Sequence, residues 1–415
     1  MSVGILLHSK IPGELGGSLS ELEPHISAVL ERVYEQECKA QIFRCVNAGD
    51  ELQYFIHPAA EPLFVRLQEG KLEVQANTSS GGPGYHVAVV EGFDALASSL
   101  GFDWEWDDDA FDETGYFQDR NFDAVVREMV SWLSGIAGFV SNNPDMVNVQ
   151  LAMPLGGIVP TEFEIISPMG YWPRQWFASF AALDETMQVS LASQFFAWWG
   201  RERDRDYWKG VAQALCWVDL PWHQPKTETE SRDYAAALYA FEQADWRDAP
   251  EYAEIQYLLE LDEMTPHYPE PSRMGFRRVD CTWRFAANWR VALPGQWYHK
   301  LESDGTCITL WWDTRTVRGT GMSVSGAPFE TLVELICRVN LGGEVVVDEQ
   351  IGALHYRAQY HESEMEGKLY GSVLGAIVRA GGYLQVTITF ERLADRDWAI
   401  ETFKTIVWQE SGSTE

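Results

Sequence analysis

Two hydrophobic rhythms alternate along the chain. Ser18-x-x-Glu21 has the form of a capping box, and Leu22, Ile26, Val29, Leu30 and Val33 follow at the spacing of one helical face. Four short apolar runs come next, over 41–46, 52–56, 63–67 and 72–76. Glycine and proline signals separate them, which predicts an antiparallel meander. A helix is expected over 85–100, closing on Gly101. Another is expected over 121–138, with Phe122, Val125, Val126, Met129, Trp132 and Leu133 on one side.

The middle of the chain reads differently. A strand-like run over 147–153 and a Pro/Gly-rich stretch to Pro173 lead into helical pattern. Met187, Leu191 and Phe195 fit one helix face, and 234–244 and 252–261 fit a further helix pair. The alanine-rich 235–244 has the look of a helical-repeat helix, but no second copy follows at a fixed period, so no repeat array is expected. Three prolines in the six residues 266–271 cannot continue a helix and mark a connector. Strand pattern dominates from Thr282 onward, with helices expected over 328–340 and 394–408. The fold class is α+β. It comprises an acidic α+β domain with an antiparallel sheet over 1–140, a mainly helical segment over 141–270 packed on it, and an α+β domain over 276–409.

Charge sharpens this division. The 415 residues carry a net charge of −31. The net is −15 over 1–140 and −11 over 184–270, but only −2 over 276–409. Such a field repels nucleic acid and anionic membrane and attracts basic partners over about a Debye length. Hydrophobic residues reach 46% against 22% charged, so the chain is expected to be globular, and its 18 tryptophans are expected mostly in cores. No basic segment precedes a long apolar run at the N-terminus, and no stretch approaches the roughly 18 apolar residues of a membrane span. The six cysteines form no CxxC pair and the histidines no HExxH, so neither a metal nor a cofactor is expected. A reducing cytoplasm is the expected compartment.

Two segments carry candidate chemistry. The loop 77–86 (Asn-Thr-Ser-Ser-Gly-Gly-Pro-Gly-Tyr-His) joins a strand to a helix, where free backbone N–H groups can hold an anion. It has neither the lysine of a phosphate loop nor dinucleotide spacing. Ser79, Ser80, Tyr85 and His86 are its candidate binding residues. Ser79 with His86 is also the pair a hydrolase would use, although no acid is placed by sequence to complete a triad. The second segment runs Asp103-Trp104-Glu105-Trp106-Asp107-Asp108-Asp109-Ala110-Phe111-Asp112-Glu113. Seven of its eleven residues are acidic, none is basic and three are aromatic. It lacks the glycine and terminal glutamate spacing of a calcium loop. Carboxylates interleaved with rings suit a partner's Lys and Arg, with Trp or Phe as anchors. Asp103, Trp104, Glu105, Trp106, Asp107, Asp108, Asp109, Phe111, Asp112 and Glu113 are therefore the candidate partner-binding residues, and no catalytic residue is assigned. The alternating Arg201–Asp206 run (Arg-Glu-Arg-Asp-Arg-Asp) is expected on an exposed, self-compensated helix face.

Two resemblances follow from these residues. Trp289-Arg290-Val291-Ala292-Leu293-Pro294-Gly295-Gln296-Trp297, the strand pattern over 384–390, and the final Trp398, Ile400, Phe403 and Ile406 resemble the PsbP/DcrB-like α/β sandwich across about 276–409. That resemblance implies a binding or chaperoning role and no catalytic residues. The loop 76–86, the acidic run and Asp112-Glu113-Thr114-Gly115-Tyr116 resemble immunity proteins encoded beside bacterial polymorphic and type VI secretion toxins, in particular partners of restriction-endonuclease-fold toxins. The expected function is stoichiometric inhibition of a cognate basic toxin domain, a nuclease, with no direct contact to nucleic acid or membrane. The alternatives are a chaperone or adaptor for a secreted effector, and an unrecognised hydrolase.

Overall fold

The computed structural model describes residues 2–34, 42–106, 109–146, 148–153, 158–259, 271–285, 288–301, 307–324 and 326–409. The fold is α+β, with antiparallel pairing dominating its sheets. The connector expected over 265–271 lies outside the described residues except for Pro271.

The chain forms two compact units, one of residues 1–156 with 163–276, the other of 157–162 with 277–415. Where charge draws three segments, contacts draw two. A single hydrophobic core runs from Val3 to Leu258, so the helical segment shares its interior with the acidic sheet domain.

The first unit is built on a seven-stranded sheet. Its meander Arg44–Asn47, Glu51–Phe55, Leu63–Gln68 and Lys71–Asn77 follows the four apolar runs. Gly4–Lys10 is inserted between Lys71–Asn77 and the edge pieces Trp104–Glu105 and Phe111–Asp112, all antiparallel. Alternation is what seats this N-terminal strand, because Ile5 and Leu7 are both fully buried. Helices Leu19–Tyr34 and Pro83–Leu100 pack against each other, and the Tyr34 hydroxyl donates to the Ala88 carbonyl at 2.9 Å. Gly92 permits that approach, since a Cβ there would stand 2.1 Å from the Tyr34 oxygen. Asn121 caps the helix Phe122–Asn142 by accepting from the Ala124 N–H. Its Trp132 joins Trp172, Trp176, Phe177, Phe180, Phe195 and Phe196 in one aromatic cluster.

Three expectations change here. Among the described residues of the strand-like run over 147–153, the strand is Val149–Gln150, paired in parallel with Ile165–Ser167. Met187 and Phe195 share the helix Glu185–Phe195, but Met187 is exposed and only Phe195 is buried. The Arg201–Asp206 run is exposed, as expected, except at half-buried Arg203, but only its last two residues are helical. Asp204 caps the helix Arg205–Ala214, and Arg205 donates to the Ala244 carbonyl. Arg203 donates to the Tyr34 carbonyl at 2.7 Å and lies over the rings of Tyr34, Trp198 and Tyr207. Acid–base alternation concealed arginines that work as aromatic and carbonyl clamps.

In the second unit a seven-stranded antiparallel sheet, from Tyr298–Leu301 at one edge to Glu344–Ile351 at the other, carries a helix on each face. Ala376 and Val378 pack on Leu332 and Ile336 of the helix Phe329–Arg338. The neighbouring Gly375 meets Phe403 of the helix Arg396–Lys404, which lies on the other side. A smaller sheet pairs Val407–Trp408, Trp289–Pro294, Asp280–Arg284 and Ile158–Pro160 in that order. The helix expected over 394–408 therefore stops at Lys404. Trp408 then runs extended against Trp289, ring to ring at 5.2 Å.

Candidate functional site

The fold brings the glycine-rich loop and the acidic run together, a juxtaposition their separation in sequence conceals. Lys71–Asn77 delivers the loop beside Gly4–Lys10, and the end of the acidic run pairs with the other edge of that same strand. His86, in the first turn of Pro83–Leu100, sits between them. Its Nδ1 lies 2.9 Å from Thr78 Oγ1, and its Nε2 lies 2.9 Å from Thr114 Oγ1 and 3.3 Å from Asp112 Oδ1. Neither the His86 nor the Asp112 side chain has any exposure. Burial alone would raise the Asp112 pKa. The hydrogen bond and charge of His86, the Phe117 N–H and the Thr114 hydroxyl outweigh it and hold the carboxyl at about 2.

The loop's hydroxyls are committed to the backbone at Val3 and Glu61. Ser79 Oγ accepts from the Val3 N–H at 2.6 Å and donates to Asn77 Oδ1 at 2.8 Å. Thr78 Oγ1 reaches the Val3 carbonyl. Ser80 Oγ accepts from the Glu61 N–H, and the Tyr85 hydroxyl donates to the Glu61 carbonyl at 2.6 Å. Burial raises the Tyr85 pKa far above that of an ordinary phenol. The glycines have a structural use. Gly82 takes φ of 96°, the Gly84 N–H donates to the Trp198 carbonyl, and a Cβ on Gly84 would meet the Gly200 oxygen at 2.1 Å. One N–H at the helix start, that of Gly84, is thus used by Trp198, and Ser79 and His86 are not paired with each other. The segment is a clasp of strand, loop and edge, and all four candidate residues are buried.

The acidic run divides by depth. Trp104 points inward, donating to the Phe93 carbonyl at 3.0 Å and stacking on Phe102. Glu105 is held by Lys71 at 2.6 Å and Lys10 at 3.3 Å, which lower its pKa. Asp112 belongs to the clasp, and Glu113 Oε2 accepts from the Gly4 N–H at 2.7 Å. Asp103 and Asp109 are exposed, as are Trp106 at 46% and Phe111 at 38%. Asp107 and Asp108 lie outside the described residues. Trp106 stacks on Phe117 with planes 7° apart, and Arg120 lies over Phe117 while bonded to Asp94 at 2.9 Å. Sequence reading missed Phe117, Arg120 and Asp94. The one available signal was Asn121, whose capping position marks the turn that presents them.

Among the described residues no helix is long and apolar enough to cross a membrane, and no disulfide forms.

No known protein family matches the sequence, and no curated protein matches it. Among solved structures, a crystal structure from Bacteroides thetaiotaomicron VPI-5482 is similar over 31% of this chain at 14% identity, with a TM-score of 0.26. The chain spans about half the length of that structure, 47%.

Proposed function

We propose that the protein is an immunity protein: it binds a cognate secreted toxin, a nuclease with a basic substrate cleft, one to one in the cytoplasm of the bacterium that makes both. The observation that carries this reading is the sheet edge formed by Trp104–Glu105 and Phe111–Asp112, beside which exposed Trp106 and Phe111 stand with the exposed carboxylates of Asp103, Asp109 and Glu113. The buried His86–Asp112 clasp fixes one end of that edge, so little ordering entropy is lost on binding. Net charge of −31 speeds encounter with a basic domain, and desolvated rings slow release. The test is co-expression with the toxin domain encoded next door. The reading expects a stable complex, restored growth and loss of nuclease activity in step with added protein. A toxin that neither binds nor is inhibited removes it.

A second reading, a chaperone for a secreted effector, is favoured by a different surface. Ile336, Leu374, Ala376 and Tyr383 line a cavity of about 170 Å³. Leu335, Val339, Leu341 and Val345 are exposed on the same unit. A chaperone would bind the effector's apolar signal or transmembrane segment and leave its toxic domain active.

A further inference from the structure

Three side chains of different chemistry converge at the end of the helix Phe329–Arg338. Cys337 comes from its last turn, Asp348 from the strand Glu344–Ile351 and His355 from Leu354–Met365. One ligand atom from each, the thiol sulfur, a carboxylate oxygen and an imidazole nitrogen, lies within 4.8 Å of the others. The two strands form a hairpin in which Gln350 faces His355 and Asp348 faces Arg357. Residues two apart share a face, so His355 and Arg357 both flank Asp348. The Asp348 carboxylate lies 3.0 Å from His355 Nε2 through Oδ1 and accepts from Arg357 through Oδ2.

We infer that Cys337, Asp348 and His355 form a binding site for a divalent cation of the zinc class. A thiolate and an imidazole select zinc or its transition-metal neighbours over magnesium and calcium, which take oxygen ligands. Three protein ligands leave the fourth tetrahedral position to water or an exchangeable group. At zinc bond lengths of about 2.0–2.3 Å, tetrahedral ligands stand roughly 3.3–3.8 Å apart. Spacings of up to 4.8 Å in the cluster must therefore close by as much as about 1 Å, while the His355–Asp348 pair opens slightly. Cys337 is exposed and the Asp348 side chain is 40% exposed, so rotamer changes in those two can close it around His355, only 14% exposed. Zinc would displace the hydrogen bond between His355 and Asp348 and leave Arg357 to orient the carboxylate from outside. The Arg357 charge also opposes a cation, which sets the site at moderate affinity. Spacings of eleven and seven residues match no short metal motif, so the sequence alone gives no sign of the site.

The probes are zinc and cobalt(II) alone, added to the full-length chain after treatment with a chelator. Native mass spectrometry should show one zinc per chain, and cobalt should produce a thiolate-to-metal charge-transfer band. Cys337→Ser should abolish the band, Cys45→Ser should leave it, and His355→Ala should weaken zinc binding at least tenfold. A measurement on the unmutated chain keeps the test independent of how the variants fold: zinc should protect Cys337 from alkylation, mapped by peptide mass. Failure to take up zinc overturns the inference. So does a cobalt band that survives in Cys337→Ser, or alkylation of Cys337 that zinc does not slow.

Discussion

His86 and Asp112 meet at 3.3 Å with both side chains closed to solvent, joining the start of the Pro83–Leu100 helix to the edge strand Phe111–Asp112. Two threonines complete the contact, Thr78 on one imidazole nitrogen and Thr114 on the other. A histidine, an acid and hydroxyls are the parts of a nucleophilic site. Here Thr78 is fully buried and already shares its hydroxyl with the Val3 carbonyl, so the same parts hold a strand in place.

Asp112→Asn should therefore act on stability. Breaking a buried charge-paired group costs roughly 3–5 kcal/mol. The pH dependence gives a second signature. The folded carboxyl titrates at about 2, and an unfolded one at about 3.9. The unfolded chain takes up the proton first, so the stabilisation is complete above pH ~4 and lost as pH falls through about 2, amounting to roughly 2.6 kcal/mol. Denaturant melts of wild type and variant across that window should converge at the acid end. Parallel curves would show that Asp112 is not the linked group.

Ser79→Ala should destabilise the protein by about 1–3 kcal/mol, because the buried Val3 N–H loses its acceptor at 2.6 Å. Hydrogen exchange at Val3 should rise while the rest of the sheet stays protected. An unchanged melting midpoint would mean that water or a shifted hydroxyl replaces the bond.

The sequence reveals most where one rhythm governs one element. The meander and the helices Pro83–Leu100, Phe122–Asn142 and Phe329–Arg338 all follow from periodicity and turn signals. Gly4–Lys10 escapes because its status as an inner strand depends on partners about 70 and 100 residues away. The site divides the same way. Composition makes 103–113 acidic and aromatic, but only the fold shows that Trp104 faces inward and Trp106 outward. Arg203 makes the same point. Its neighbours suggest a solvated ion pair, whereas three rings and a distant carbonyl fix its place.

The second unit borrows a strand, and this limits where the chain can be cut. Ile158–Pro160 pairs with Cys281–Trp283, and Thr161 donates to the Asp280 carbonyl through both its N–H and its hydroxyl. A fragment of 277–409 would bare that edge beside the buried Trp283. It should melt lower than the same fragment with 157–162 fused ahead of it through a short flexible linker. The expected difference is roughly 2–3 kcal/mol, from lost ladder bonds and uncovered apolar surface. Equal melting temperatures would show that the borrowed strand contributes nothing.

Trp104 and Trp106, two residues apart, should separate folding from recognition. Trp104→Ala removes the bond to the Phe93 carbonyl and the packing on Phe93 and Phe102, a loss of about 2–4 kcal/mol in stability. Trp106→Ala removes an exposed ring stacked on Phe117, so stability should hold to within about 0.5 kcal/mol. If this edge covers a basic toxin domain, the same change should raise the dissociation rate tenfold or more, as loss of a central aromatic anchor does. Asp103→Asn with Asp109→Asn should instead slow association, and that effect should fade as salt is raised. Surface plasmon resonance against the neighbouring toxin, paired with thermal melts, reads both rates and the fold together. A folded triple variant, Asp103→Asn, Trp106→Ala and Asp109→Asn, that binds with wild-type rates would take this edge out of the interface.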